Sequence, residues 1–314
     1  MKQTLFRNVA AELAALDAKI NALLPPRYQH CYASVSPNSM GSAGLKYGRD
    51  GRVAWDEIWT TFCDLALAGG PPHRGKLLEP VSEFEVTAAP SRYRVVVAEI
   101  GRAIGMTTGL PVVDGYLPGW VGVRCDSRKE AAWLQFAVNA ENVSARRRQS
   151  ILQLPAGPDF RVEKEIKNVV VALAKTHHYW EGHLTTAQQS LAEEDVCEAT
   201  TPAEAAAAPA EYEAALGEVE DALRESGLPT SSRRYVGWLG VETAGEEEAV
   251  WLLRAVLVEQ VLARREESVL YLPVGVTSDG GQATRVGRAF QQAWDLRTAS
   301  SPRRPAWRTS GRPG

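Results

Sequence analysis

Apolar residues along this chain fall into short blocks of two kinds, helical stripes and unbroken runs of four or five. The fullest example is Trp133 to Pro155, WLQFAVNAENVSARRRQSILQLP, which returns at Trp251 to Pro273 as WLLRAVLVEQVLARREESVLYLP. In both stretches Trp and Pro stand 22 positions apart, with Glu141/Glu259, the Arg pairs 146–147 and 264–265, and Ser150/Ser268 in register. A looser third version runs from Trp59 to Pro80. Repetition at a fixed period predicts a repeated structural unit.

Each unit reads as strand, long helix, strand, helix. The runs WVGV, ILQL, WLGV and VLYL are apolar throughout, as in strands covered on both faces. Helices are expected over about 128–147 and 245–265, with the Arg pairs at their C-termini, where cations complement the helix dipole. A strand–helix–strand unit ordinarily closes as a parallel crossover. The expected fold is therefore α/β: three tandem β-α-β-α units with six short, mainly parallel strands. These would stand around a pseudo-threefold axis or, alternatively, in one doubly wound sheet.

The corresponding boundaries are an N-terminal amphipathic helix over 1–24, with Leu13, Leu16 and Ile20 on one face, and units at 25–109, 110–183 and 228–299. Between the last two, 184–227 is rich in Ala, Thr and Glu and reads as an acidic linker with one helix. The terminal stretch 300–314 is Pro-, Gly- and Arg-rich, the composition of a disordered basic tail.

Composition narrows the class. Of 314 residues, 45% are hydrophobic and 23% charged, with a formal net charge of −3, as in an ordinary globular protein without a global field for nucleic acid or membranes. No stretch approaches the 18 or so apolar residues that a membrane span needs. Four scattered cysteines show no metal-ligand spacing, pointing to reduced thiols in the cytoplasm. Nothing specifies a cofactor, and repeated interfaces also allow a homo-oligomer.

Candidate chemistry lies where the copies differ. The first unit has Gly69, Gly70, Pro71, Pro72, His73 and Arg74 where the others have charged helix ends. Glycine N–H groups with Arg74 beside them suit a carboxylate or phosphate, and the same residues also suit a simple stiff turn. Glu79 stands where later copies have Leu154 and Leu272, so with His73 it is a candidate acid or base. A loop containing Ser39 and Ser42 is placed to cover that site. Cys63, packed beside Phe62, is a weaker nucleophile candidate. Arg146 and Arg264 are further anion contacts, and Asn139, Glu141 and Asn142 are polar residues of unassigned direction. In the second unit, THHYWEGH puts His177, His178, Glu181 and His183 within helical reach of one another, a metal alternative or a helix end capped by histidines.

Two functions fit. One is a cytoplasmic enzyme acting on a small anionic metabolite, with His73 and Glu79 catalytic and Gly69, Gly70, Arg74, Ser39, Ser42, Arg146 and Arg264 binding. The other is a non-catalytic assembly or sensor module that offers a platform to a protein partner.

Overall fold

In the computed structural model the order after Trp120 is strand, helix, two-residue hairpin, rather than strand, helix, parallel strand. The structure describes residues 2–26, 29, 44–58, 65–192, 195–276 and 281–300. Helix α1 covers Lys2–Leu23. Single 3-10 turns follow at Trp55–Glu57 and Ala66–Ala68. Next come α2 (Glu83–Ala88), α3 (Pro90–Thr108), β1 (Val112–Val113), β2 (Trp120–Arg124), α4 (Arg128–Ala140), β3 (Arg146–Arg148), β4 (Ile151–Pro155), α5 (Lys167–Gly182) and α6 (Thr186–Ser190). The chain then continues through α7 (Pro202–Ala207), α8 (Pro209–Arg224), β5 (Trp238–Glu242), α9 (Glu246–Leu257), β6 (Arg264–Glu266), β7 (Val269–Pro273) and α10 (Gly281–Ser300).

These strands make two separate antiparallel sheets, ordered β1-β2-β4-β3 and β5-β7-β6. The expected parallel six-stranded, three-unit α/β arrangement is thereby overturned, in both its threefold and its doubly wound form. The physical reason sits at the end of α4 and α9. Asn142 and Gln260 adopt the left-handed region, φ 60° and 61°, which stops each helix well short of the arginines. The Arg pairs consequently lie in β3 and β6, not at helix C-termini. A two-residue loop, with Gln149 or Glu267 also left-handed, then turns the chain back so that β4 and β7 run against β2 and β5.

The two halves correspond element by element. Trp120 pairs with Pro155 and Trp238 with Pro273, 118 positions apart. Ser82 caps α2 through a capping box with Glu85, and Thr201 caps α7 through one with Glu204. Pro90 and Pro209 open α3 and α8, where a missing N–H is harmless. Leu78 bridges Val143 in parallel, as Cys197 bridges Val261. Gly119 (φ 80°) and Gly237 (φ 77°) stand at matched crossings, where a Cβ would run into the carbonyl oxygen of Val81 or Thr200.

Two further expectations are corrected here. The stretch read as an acidic linker with one helix does hold that helix, α8, but α7 precedes it, and the two are counterparts of α3 and α2. In the supposed first unit, the described part of 54–80 holds two 3-10 turns and the single bridge of Leu78, and 83–88 is helical. Helices α3 and α4 pack against one sheet and α8 and α9 against the other, with α5 packed on α3 and α4, and α10 on α8 and α9. Apolar contacts run through both halves as one core, joined by Leu65–Ala68 and by Leu16, Ile20 and Leu24 from α1 and the residue after it. Among the described residues, no helix is long and apolar enough to cross a membrane.

Candidate functional site

The Gly69–Arg74 turn lies where the halves meet, and its glycine amides are already engaged. Gly69 N–H donates to Ala66 O at 3.0 Å and Gly70 N–H to Leu65 O at 3.1 Å, so neither glycine amide is offered outward. The anion that the turn receives is the protein's own. Glu141, fully buried, accepts Ala66 N–H at Oε1 (2.9 Å) and His73 N–H at Oε2 (2.8 Å), and Lys175 Nζ lies 2.7 Å from Oε2. Burial and the nearby Lys175 ammonium hold the His73 imidazole at about 3, against an ordinary 6.5, so it is neutral at physiological pH. Arg74 Nε donates to Lys76 O at 3.1 Å, and Asn142 donates to Arg74 O at 2.8 Å.

The second half grips the same segment by its carbonyls. Arg254 on α9 donates from Nε to Leu67 O at 3.3 Å and from Nη2 to Ala68 O. Arg265 Nη2 donates to Gly70 O at 2.8 Å, and Leu77 N–H donates to Glu266 Oε1 at 3.3 Å. Sequence reasoning passed over Lys175, Arg254 and Glu266 as ordinary members of apolar or charged runs. The signal for Glu141 was present, because it repeats in register as Glu259.

Arg264 is wholly buried, 2.8 Å from Glu266 Oε1 and 3.1 Å from Asn142 Oδ1. Its guanidinium carbon lies 4.0 Å from the Tyr271 ring centroid, 4.4 Å from that of Tyr235 and 5.2 Å from that of Trp238. Delocalised charge stacked on rings is a favourable way to bury a guanidinium. Arg146, at the matching position of the first half, instead lies 2.6 Å from Glu204 and 3.5 Å from Glu198. Glu79 lines a cleft of about 20 Å³ with Trp120, Arg146, Glu198 and Trp238, a space on the scale of one water. Burial raises the Glu79 carboxyl above its usual range, an effect that Arg264 partly offsets.

The candidate residues thus divide. Glu79 and Arg146 line one cleft, with Arg264 within electrostatic range of Glu79. His73, Arg74, Gly69 and Gly70 belong to the turn around Glu141. Ser39, Ser42 and Cys63 lie outside the described residues. Of the histidine group, His177 and Glu181 come together with Glu130. His178 and His183 pair separately, Nε2 to Nε2 at 3.2 Å.

A cleft of about 1090 Å³ opens between α1, α8 and α10. Among the described residues, Glu12, Glu218, Asp221, Glu225 and Asp295 line it with one arginine, Arg288, over a floor that includes Ala222, Leu296 and Ala299, and Asp221 is paired with Arg224 at 2.6 Å. No protein-family model matches the sequence, and comparison with curated proteins finds no match.

Proposed function

We propose that the chain is a non-catalytic interaction module of the cytoplasm, whose duplicated halves form a rigid platform for a protein partner carrying a cationic, partly apolar segment. The observation that carries this reading is the acidic cleft between α1, α8 and α10. Among the described lining residues, five carboxylates against one arginine disfavour an anionic metabolite and complement lysine or arginine side chains, while the alanine and leucine floor accepts an apolar face. The buried charges elsewhere support it, because Glu141, Lys175, Arg254 and Arg265 are spent on joining the halves. Titration with a fluorescent Lys/Leu amphipathic peptide tests the reading. Saturable binding that weakens at least about tenfold in Glu218→Lys/Glu225→Lys, and falls with salt, supports it. Binding unchanged by charge reversal, or none, rejects it.

A second reading, an enzyme acting on a small anionic metabolite, draws on Glu79. Its carboxyl is raised by burial at a cleft shared with Arg146, which is the setting of a general acid. Thermal stabilisation by a small carboxylate or phosphate, lost in Glu79→Gln and Arg146→Met, would favour this alternative.

A further inference from the structure

Glu130, His177 and Glu181 stand on two packed helices, α4 and α5, and each offers one ligand atom, all within 4.8 Å of one another. Ser127 caps α4 by accepting Glu130 N–H at 3.0 Å, and Glu130 Oε2 accepts Asp126 N–H at 2.7 Å. That fixes the carboxylate and leaves its other oxygen to a different task. Glu130 is 1% exposed, and its Oε1 makes no hydrogen bond among the described residues. What it faces is His177 Nε2, at 3.4 Å. A buried carboxylate oxygen without a donor is costly unless something positive completes it.

The second half supplies an internal comparison. Glu248, at the position of Glu130, reaches back in the same way to Ala244 N–H at 2.8 Å. Yet α10, which follows β7 as α5 follows β4, contains no histidine. The cap is common to both halves, and the imidazole is added in one alone.

We infer that Glu130, His177 and Glu181 bind a divalent first-row transition-metal ion, of which Zn²⁺ and Mn²⁺ are the test cases. One imidazole nitrogen and two carboxylate oxygens suit these borderline ions better than the all-oxygen preference of Ca²⁺ or Mg²⁺. Donors spread over 4.8 Å need only a small closing movement to reach the roughly 2.0–2.2 Å bonds that such ions take. Glu181 is exposed, so the ion would keep water in its remaining positions. The inference stands apart from the proposed partner binding.

The test uses the full chain, stripped with chelator and titrated separately with ZnCl₂ and MnCl₂ by calorimetry. One equivalent should bind, and His177→Ala and Glu181→Gln should each weaken it by about 100-fold. Glu181 is at the surface, so its glutamine variant should keep the native far-UV dichroism. Mn²⁺ electron-spin-echo spectra should show nitrogen coupling that disappears in His177→Ala. The neighbouring pair is the control, and His178→Ala/His183→Ala should leave binding intact. Absence of saturable binding overturns the assignment, as does binding that requires His178 and His183.

Discussion

Lys175 Nζ lies 2.7 Å from Glu141 Oε2, with the lysine side chain 8% exposed and the glutamate 0%. An ion pair so sealed from water is held by geometry, because each partner's desolvation is compensated only while the other remains. Glu141→Gln should therefore cost about 3–5 kcal/mol, and Lys175→Met a similar amount. The double variant should recover part of the loss, since it removes both charges. Urea unfolding of the three variants checks this, and independent additive losses would count against the coupling.

Acid should weaken the fold through His73. Its folded pKa, about 3, lies below the unfolded value of 6.5, so the unfolded chain binds the proton first. The stability involved is present above pH 6.5 and is lost as pH falls from 6.5 towards 3. The slope from one such group is at most about 1.4 kcal/mol per pH unit. Unfolding free energies of wild type and His73→Asn across that window should differ by this slope, and parallel curves would show that His73 titrates normally in the folded protein.

Gly119 and Gly237 are required by space as well as by conformation. Each has positive φ, and each faces a backbone carbonyl, Val81 O or Thr200 O, where a side chain would begin. Gly119→Ala and Gly237→Ala should each destabilise by at least about 2 kcal/mol. Gly217, with open space around its missing Cβ and inside α8, should instead tolerate alanine or gain about 1 kcal/mol. Thermal melts of the three variants give the comparison.

Arg254 occupies the place that Phe136 fills in the first half, and its guanidinium meets Leu67 O and Ala68 O. Arg254→Leu keeps apolar volume and leaves those buried carbonyls unmet, at about 1–3 kcal/mol each. The variant should melt earlier and show faster amide exchange over 65–70 than over β2 and β4. Uniform exchange would indicate that the segment is held by other contacts.

Much of this architecture could be read from apolar runs alone. Strands β2, β4, β5 and β7 fall where WVGV, ILQL, WLGV and VLYL stand, because runs this short, bounded by glycine or proline and rich in Val and Leu, suit a buried strand better than a helix. Their direction was not legible. It depends on Asn142 and Gln260 turning left-handed, which side-chain periodicity does not record. The duplication was partly visible, yet its true period carries further signals: Ala-Ala-Pro at 88–90 and 207–209, and Gly-Leu-Pro at 109–111 and 227–229. Low hydrophobicity drew attention away from Thr201 and Glu204, whose capping chemistry marks α7, whereas α8 falls where the one helix of that stretch is expected. The donors nominated in the Gly69–Arg74 turn, its glycine amides and Arg74, are not the ones that meet Glu141, which accepts the backbone N–H groups of Ala66 and His73. Glu141 itself was not legible as their acceptor, because nothing in sequence order brings residue 141 to residue 73.

Because residues 65–78 are clasped by Glu141 and Asn142 on one side and by Arg254, Arg265 and Glu266 on the other, they act as a keystone between two arches. Severing the polypeptide between 192 and 195 would not yield two self-sufficient fragments. The downstream piece, made alone, would carry a guanidinium lining with nothing to grasp, and should fold only when the upstream piece is supplied in trans.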